Sequence, residues 1–188
     1  PTTFDMAGLE SVELPNTIET IGSSAFSRCG NLSTFRFPES VKVIKGSAFE
    51  STGIEVLELP ASVDSIGELA FADMRRNKGM GGLQLIRVHA AVPPKAEHDN
   101  VFTNYNHKDW RTYQEVPLEV PAESVEAYRN APMWKNFAQI VPMGTTVVIT
   151  DPVTTISQLT IVGKATVNVE QEARTNYSSD AQTVDLTG

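Results

Sequence analysis

The segment Leu9-Glu-Ser-Val12-Glu-Leu14-Pro15-Asn-Thr-Ile18-Glu-Thr-Ile21-Gly-Ser-Ser-Ala25-Phe26 returns over 32–49 and again over 54–71. Its third apolar residue falls at Leu14, Phe37 and Leu59, steps of 23 and 22 residues, and an Ala-Phe pair closes each unit at 25/26, 48/49 and 70/71. One such unit cannot bury its own apolar face. A fixed period in this range therefore predicts a solenoid, in which each unit covers the next.

Within a unit, Val12-x-Leu14 alternates as a half-buried strand does, and Pro15 ends the run because it cannot donate to a ladder. Ile18-x-x-Ile21 predicts a second short extended piece. Gly22 turns the chain, and Ala25-Phe26 is expected to form a compact helical or 3₁₀ turn whose ring fills the interior. A fourth, degenerate unit follows, with Leu83-Gln-Leu-Ile86-Arg-Val88 as strand, Pro93-Pro94 as break and Val101-Phe102 as plug. The spacing from Leu59 to Val88 is 29 residues, which places an insertion at 75–82 containing Arg75, Arg76 and Lys78 among glycines. Such a stretch predicts a mobile basic loop. A fifth strand at Leu118-Glu-Val120 precedes an expected helix over 122–130, after which Trp134 and Phe137 supply the bulk to cover an open end.

Outward positions of the first strand carry Glu13, Arg36, Glu58, Arg87 and Glu119, alternating in sign, and the second carries Glu19, Lys42 and Asp64. Stacked in register, these would neutralise one another and fix the alignment of the units. The neighbouring column runs Ser11, Thr34, Val56, Leu85 and Pro117. It is expected to expose Val56 and Leu85 as an apolar patch beside the insertion.

The chain of 188 residues, 40% apolar, can bury a substantial core. Its net charge of −8 repels polyanions and argues against nucleic-acid binding. No apolar run approaches the roughly 18 residues that span a bilayer, so no membrane insertion is expected in this segment. Nor does a charged and apolar leader precede the repeats, so any targeting signal is expected to have been removed or to lie elsewhere. A single cysteine rules out an internal disulfide framework and a Cys-rich zinc site. Cys29, three residues after Phe26, shares its offset with Thr52 and Met74, a column suited to an interior stack.

These units, for instance Leu32-Ser-Thr-Phe-Arg-Phe-Pro38 continuing to Ala48-Phe49, resemble the BspA-like class of leucine-rich repeats. Ala91-Val-Pro-Pro94, Ser124-Val-Glu-Ala-Tyr128 and Trp134-Lys-Asn-Phe137 are similar to the ends of such arrays in surface proteins of Bacteroides-type bacteria. The resemblance covers residues 9 to about 142 and implies an exported, cell-surface or extracellular protein that acts in adhesion to proteins or cells. It carries no transferable set of binding residues.

Catalytic patterns are wanting. There is no Gly-x-Ser-x-Gly elbow, no Gly-x-Gly-x-x-Gly and no Walker loop, so neither an enzyme nor a cofactor is expected. His89, His98 and His107 lie near Asp99 and Asp109, but nothing in their spacing enforces convergence on a metal ion. Trp110 with Tyr105 and Tyr113, flanked by Asn104 and Asn106, either anchors a loop or offers a stacking platform for a sugar. From 145 the pattern changes: 146–150, 156–162 and 165–170 read as strands, the last two as a hairpin at Gly163-Lys164. The expected organisation is a repeat solenoid with a helical C-terminal cap over 1–144 and a β-rich tail or truncated second domain over 145–188. Its function is expected to be non-enzymatic recognition of a protein or cell-surface ligand, with Val56, Arg75, Arg76, Lys78, Leu85 and Trp110 as candidate contacts. A glycan-binding module or a structural spacer remain the alternatives.

Overall fold

The computed structural model describes residues 4–74, 82–103 and 111–145. The repeats build two four-stranded sheets, all parallel and both in chain order. One sheet holds β1 (Thr20–Ile21), β2 (Val43–Ile44), β4 (Ser65–Ile66) and β6 (Lys95–Ala96). The other holds β3 (Val56–Leu59), β5 (Leu85–Val88), β7 (Leu118–Val120) and β8 (Ile140–Pro142). Equivalent residues pair directly, Thr20 with Val43 and Val43 with Ser65. The expected register of the repeat is thus the observed one.

A line of rings runs through the interior. Phe4, Phe26, Phe49, Phe71 and Phe102 stack in sequence with centroids 5.6, 5.2, 5.5 and 5.5 Å apart and planes inclined by only 10–19°. Offset stacking at this separation adds about 0.5–1.5 kcal/mol per pair to the burial itself. Cys29, Thr52 and Met74 form a buried column beside the rings. Burial pushes the Cys29 thiol pKa up, and its sulfur donates to the Phe4 carbonyl at 3.0 Å.

The Ala-Phe turns are not helical. Each is a run of tight turns flanked by residues with positive φ: Ser24 and Arg28, Ser47 and Ser51, Leu69 and Asp73. This conformation aims alternate amides outward along the array, so Phe26 donates to Ala48, Phe49 to Ala70 and Phe71 to Val101. A helix would have spent those amides within its own turn. The turns thus form a third inter-unit ladder that uses neither strand nor helix. At its end, the Phe102 amide meets the Tyr113 hydroxyl, which itself donates to Asp99 O at 2.6 Å. Tyr113 stands where a next unit's carbonyl would be.

The two segments expected to lead the second sheet, around Val12 and Phe35, are not strands. Packing holds the second of them, with Phe35 edge-on to Phe26, Phe37 and Phe49 at 4.7–5.1 Å. Units also approach closely at glycines: a Cβ on Gly53 would stand 2.4 Å from the Gly30 carbonyl oxygen. No side chain fits there.

The cap forms as a 3₁₀ turn at Ala122–Ser124 running into α2 (Val125–Asn130), then a second 3₁₀ turn at Trp134–Asn136. A short α1 (Arg111–Glu115), not foreseen from the sequence, leads into β7. Tyr128 and Trp134 are fully buried and reach back to the fourth unit, Tyr128 Oη to Ala90 O at 2.8 Å and Trp134 Nε1 to Pro94 O at 2.7 Å. β8 then adds a last parallel strand that no repeat signal announced. The insertion apart from Gly82, and the tail beyond Thr145 with its expected strands, lie outside the described residues.

Phe49→Ala, in the middle of the ring stack, should cost about 3–5 kcal/mol in denaturant unfolding; a loss below about 1 kcal/mol would show that the ring is dispensable. Burial raises the pKa of the Tyr128 hydroxyl above its ordinary value. Folding therefore holds this group neutral, so its contribution is complete below the unfolded value of about 10 and declines as pH rises beyond it. Tyr128→Phe should be less stable at neutral pH and lose less stability between pH 9 and about 11 than the parent chain.

Candidate recognition surface

Two of the expected contacts, Val56 and Leu85, lie on the β3–β5–β7–β8 sheet. Val56 opens β3 and is half-buried. Leu85, its register partner in β5, is fully buried. The expected exposed apolar column therefore breaks at Leu85, because alternation along a strand separates two faces without saying which is covered. Arg75, Arg76, Lys78 and Trp110 lie outside the described residues.

The outward charges are only partly a ladder. Glu58 faces Arg87, and Arg87 faces Glu119, in strict register. Arg87 Nε donates to Glu119 at 2.7 Å, while Glu58 bonds His89 Nε2 at 2.8 Å instead of the arginine. Glu119 is fully buried and the Arg87 side chain about one-third exposed. Glu13 and Arg36, the first rungs expected, belong to segments outside the sheet. On the other sheet Lys42 does reach Glu19 at 2.9 Å, and this hydrogen bond, chiefly, raises the lysine pKa.

Of the aromatic stretch, Tyr113 is described, and it is buried with its hydroxyl committed to the backbone. A sugar platform cannot include it. Among the described residues no three His, Cys, Asp or Glu side chains gather into a metal site. His89 is held by Glu58, His98 is exposed and His107 lies outside the described residues.

Among the described residues the exposed large apolar side chains are Phe4, Met6 and Val92, the last 79% exposed, and none of them is among the contacts expected from the sequence. Val92 tops a loop whose two ends are the carbonyls fastened by Tyr128 and Trp134. Phe4 and Met6 sit at the opposite end of the array. A signal for them existed, since Phe4 precedes Phe26 by 22 residues, the spacing of the repeat.

Residues 1–80 match the family model for a BspA type leucine-rich repeat region, in six copies. No curated protein matches the chain. The match ends near the insertion, whereas the parallel ladder runs on from β3 into β5 and β7. Leucine-rich repeats of this kind generally mediate protein binding or recognition. No helix among the described residues is long and apolar enough to cross a membrane.

Arg87→Met would leave Glu119 buried without its guanidinium. Stability should fall by about 1–3 kcal/mol, with the double variant Arg87→Met, Glu119→Leu recovering part of it. Equal stability of the single variant and the parent would mean that the ion pair with Arg87 contributes nothing to the fold.

Proposed function

We propose that the chain is a leucine-rich-repeat solenoid over 1–144, followed by a separate element over 145–188, and that it acts as a non-enzymatic adhesion module binding a protein at or outside the cell surface. The observation that carries this reading is the match of residues 1–80 to a repeat class that generally serves recognition. It is supported by a core of stacked rings and inter-unit ladders, a scaffold of the kind on which binding loops are carried. The contacts proposed are the insertion residues Arg75, Arg76 and Lys78, with Val56 and Trp110. Leu85, being buried, supports the sheet from beneath.

The test begins with purified chain on a panel of extracellular-matrix proteins and on a glycan array. A protein ligand found there should bind at least about tenfold more weakly to a folded variant with 75–82 shortened and Val56→Glu, a loss of about 1.4 kcal/mol. Unchanged affinity would remove the proposed contacts. Binding to glycans alone, abolished by Trp110→Ala, would replace protein adhesion with sugar recognition.

A further inference from the structure

The outer face of the repeats carries charges that their own chain leaves unmet. Arg36 lies between the buried Phe35 and Phe37 and is itself exposed, so its guanidinium stands on the outside of the array. Among the described residues neither Arg36 nor Glu13, exposed at the equivalent place one unit earlier, has a side-chain hydrogen bond or ion pair. Further along the same column Glu58 and Arg87 are each half-satisfied. Glu58 uses Oε1 to hold His89 at 2.8 Å, and Arg87 uses Nε to hold Glu119 at 2.7 Å. Oε2 of Glu58 and both Nη groups of Arg87 have no hydrogen bond among the described residues.

The order of these charges is the telling point. Glu13, Arg36, Glu58 and Arg87 read acid, base, acid, base along the array. A row of alternating sign with an even number of members is its own complement when reversed. Had Glu119 been exposed, the row would have five members, and reversal would set acid against acid. Glu119 is fully buried, so the free row ends at Arg87.

A two-fold axis parallel to the strands, passing between Arg36 and Glu58, performs this reversal and keeps each column facing its own counterpart. Arg36 of one copy then opposes Glu58 of the other, and Glu13 opposes Arg87. Each unmet group faces one with atoms to spare. The Nη fork of Arg87 matches a carboxylate with two parallel hydrogen bonds, and Oε2 of Glu58 accepts from a guanidinium. In the neighbouring column the same axis sets exposed Thr34 against half-buried Val56.

We infer that the outer face from Glu13 to Arg87 is an interface for a second copy of this chain, packed face to face about that axis. Its extent is small, four units advancing about 5 Å each, below the roughly 800 Å² per partner of a standard interface. The dimer is therefore weak, and salt weakens it further by screening the exposed pairs. It requires no adhesion ligand, and of the contacts proposed above it shares only Val56.

Sedimentation equilibrium of the full chain, carried to about 1 mM at low salt, tests the interface. The parent is expected in a monomer–dimer equilibrium that shifts toward monomer as salt is raised. Arg36→Glu sets acid against acid across the axis and should raise the dimer Kd at least about tenfold. Combining Arg36→Glu with Glu58→Arg in the same chain restores opposite charges across the axis and should return most of the lost affinity. Arg36→Gln, which removes the charge without adding an acid, should fall between the parent and Arg36→Glu, and near-UV circular dichroism confirms that each variant is folded. A parent that stays monomeric throughout overturns the interface, as does a dimer that Arg36→Glu leaves intact. A dimer broken by Arg36→Glu and not recovered by the double exchange overturns the pairing of Arg36 with Glu58.

Discussion

The stack of phenylalanine rings is the contact on which the rest of the array depends. Five rings at centroid distances of 5.2–5.6 Å fix the advance from each unit to the next. The ladders on either side must conform to that advance. Strands of two residues would be marginal alone, since a short ladder gains few hydrogen bonds for the chain entropy it costs. Anchored by a ring in every unit, each strand is held at its neighbour's edge and the register follows. The glycine contact at Gly53, where even a methyl group is excluded, sets the limit of approach on another side.

Three ladders tie each unit to the next, two of them sheets and one made by turns flanked by residues of positive φ. The turn ladder explains why Ser24, Arg28, Ser47 and Ser51 accept a backbone conformation that costs a side-chain-bearing residue free energy. Each such turn releases an amide toward the next unit, and the inter-unit hydrogen bond offsets the strain. The ladder is finished by Tyr113, whose hydroxyl takes the Phe102 amide, and the cap is fastened by Tyr128 and Trp134. Three aromatic side chains with polar tips thus serve both as apolar fill and as backbone partners, which a leucine in any of these places could not do.

For recognition, the consequence is an array whose inner face is fully committed to its own packing. What remains for a partner is the outer face of the sheets, the insertion and the ends. On the outer face Arg87 pairs with Glu119, and Glu58 is hydrogen-bonded to His89.

The sequence by itself determined the period, the units, the interior identity of Phe26, Phe49, Phe71 and Phe102, and the C-terminal cap, because each rests on a local pattern repeated at constant spacing. Phe4 followed the same spacing and was legible on that ground. What only the tertiary structure decided depends on contacts between distant residues. Leu85 and Glu119 occupy outward positions of their strands, yet both are buried, and strand alternation carries no information about what lies over a face. Likewise Glu58 turned to His89 rather than Arg87, a choice between two bases in reach that side-chain geometry makes and spacing does not. The sequence places the Ala-Phe turns but not their conformation, since a helical turn and a turn flanked by residues of positive φ can share one composition and differ in where their amides find acceptors. Those acceptors belong to the next unit, 22 or 23 residues away.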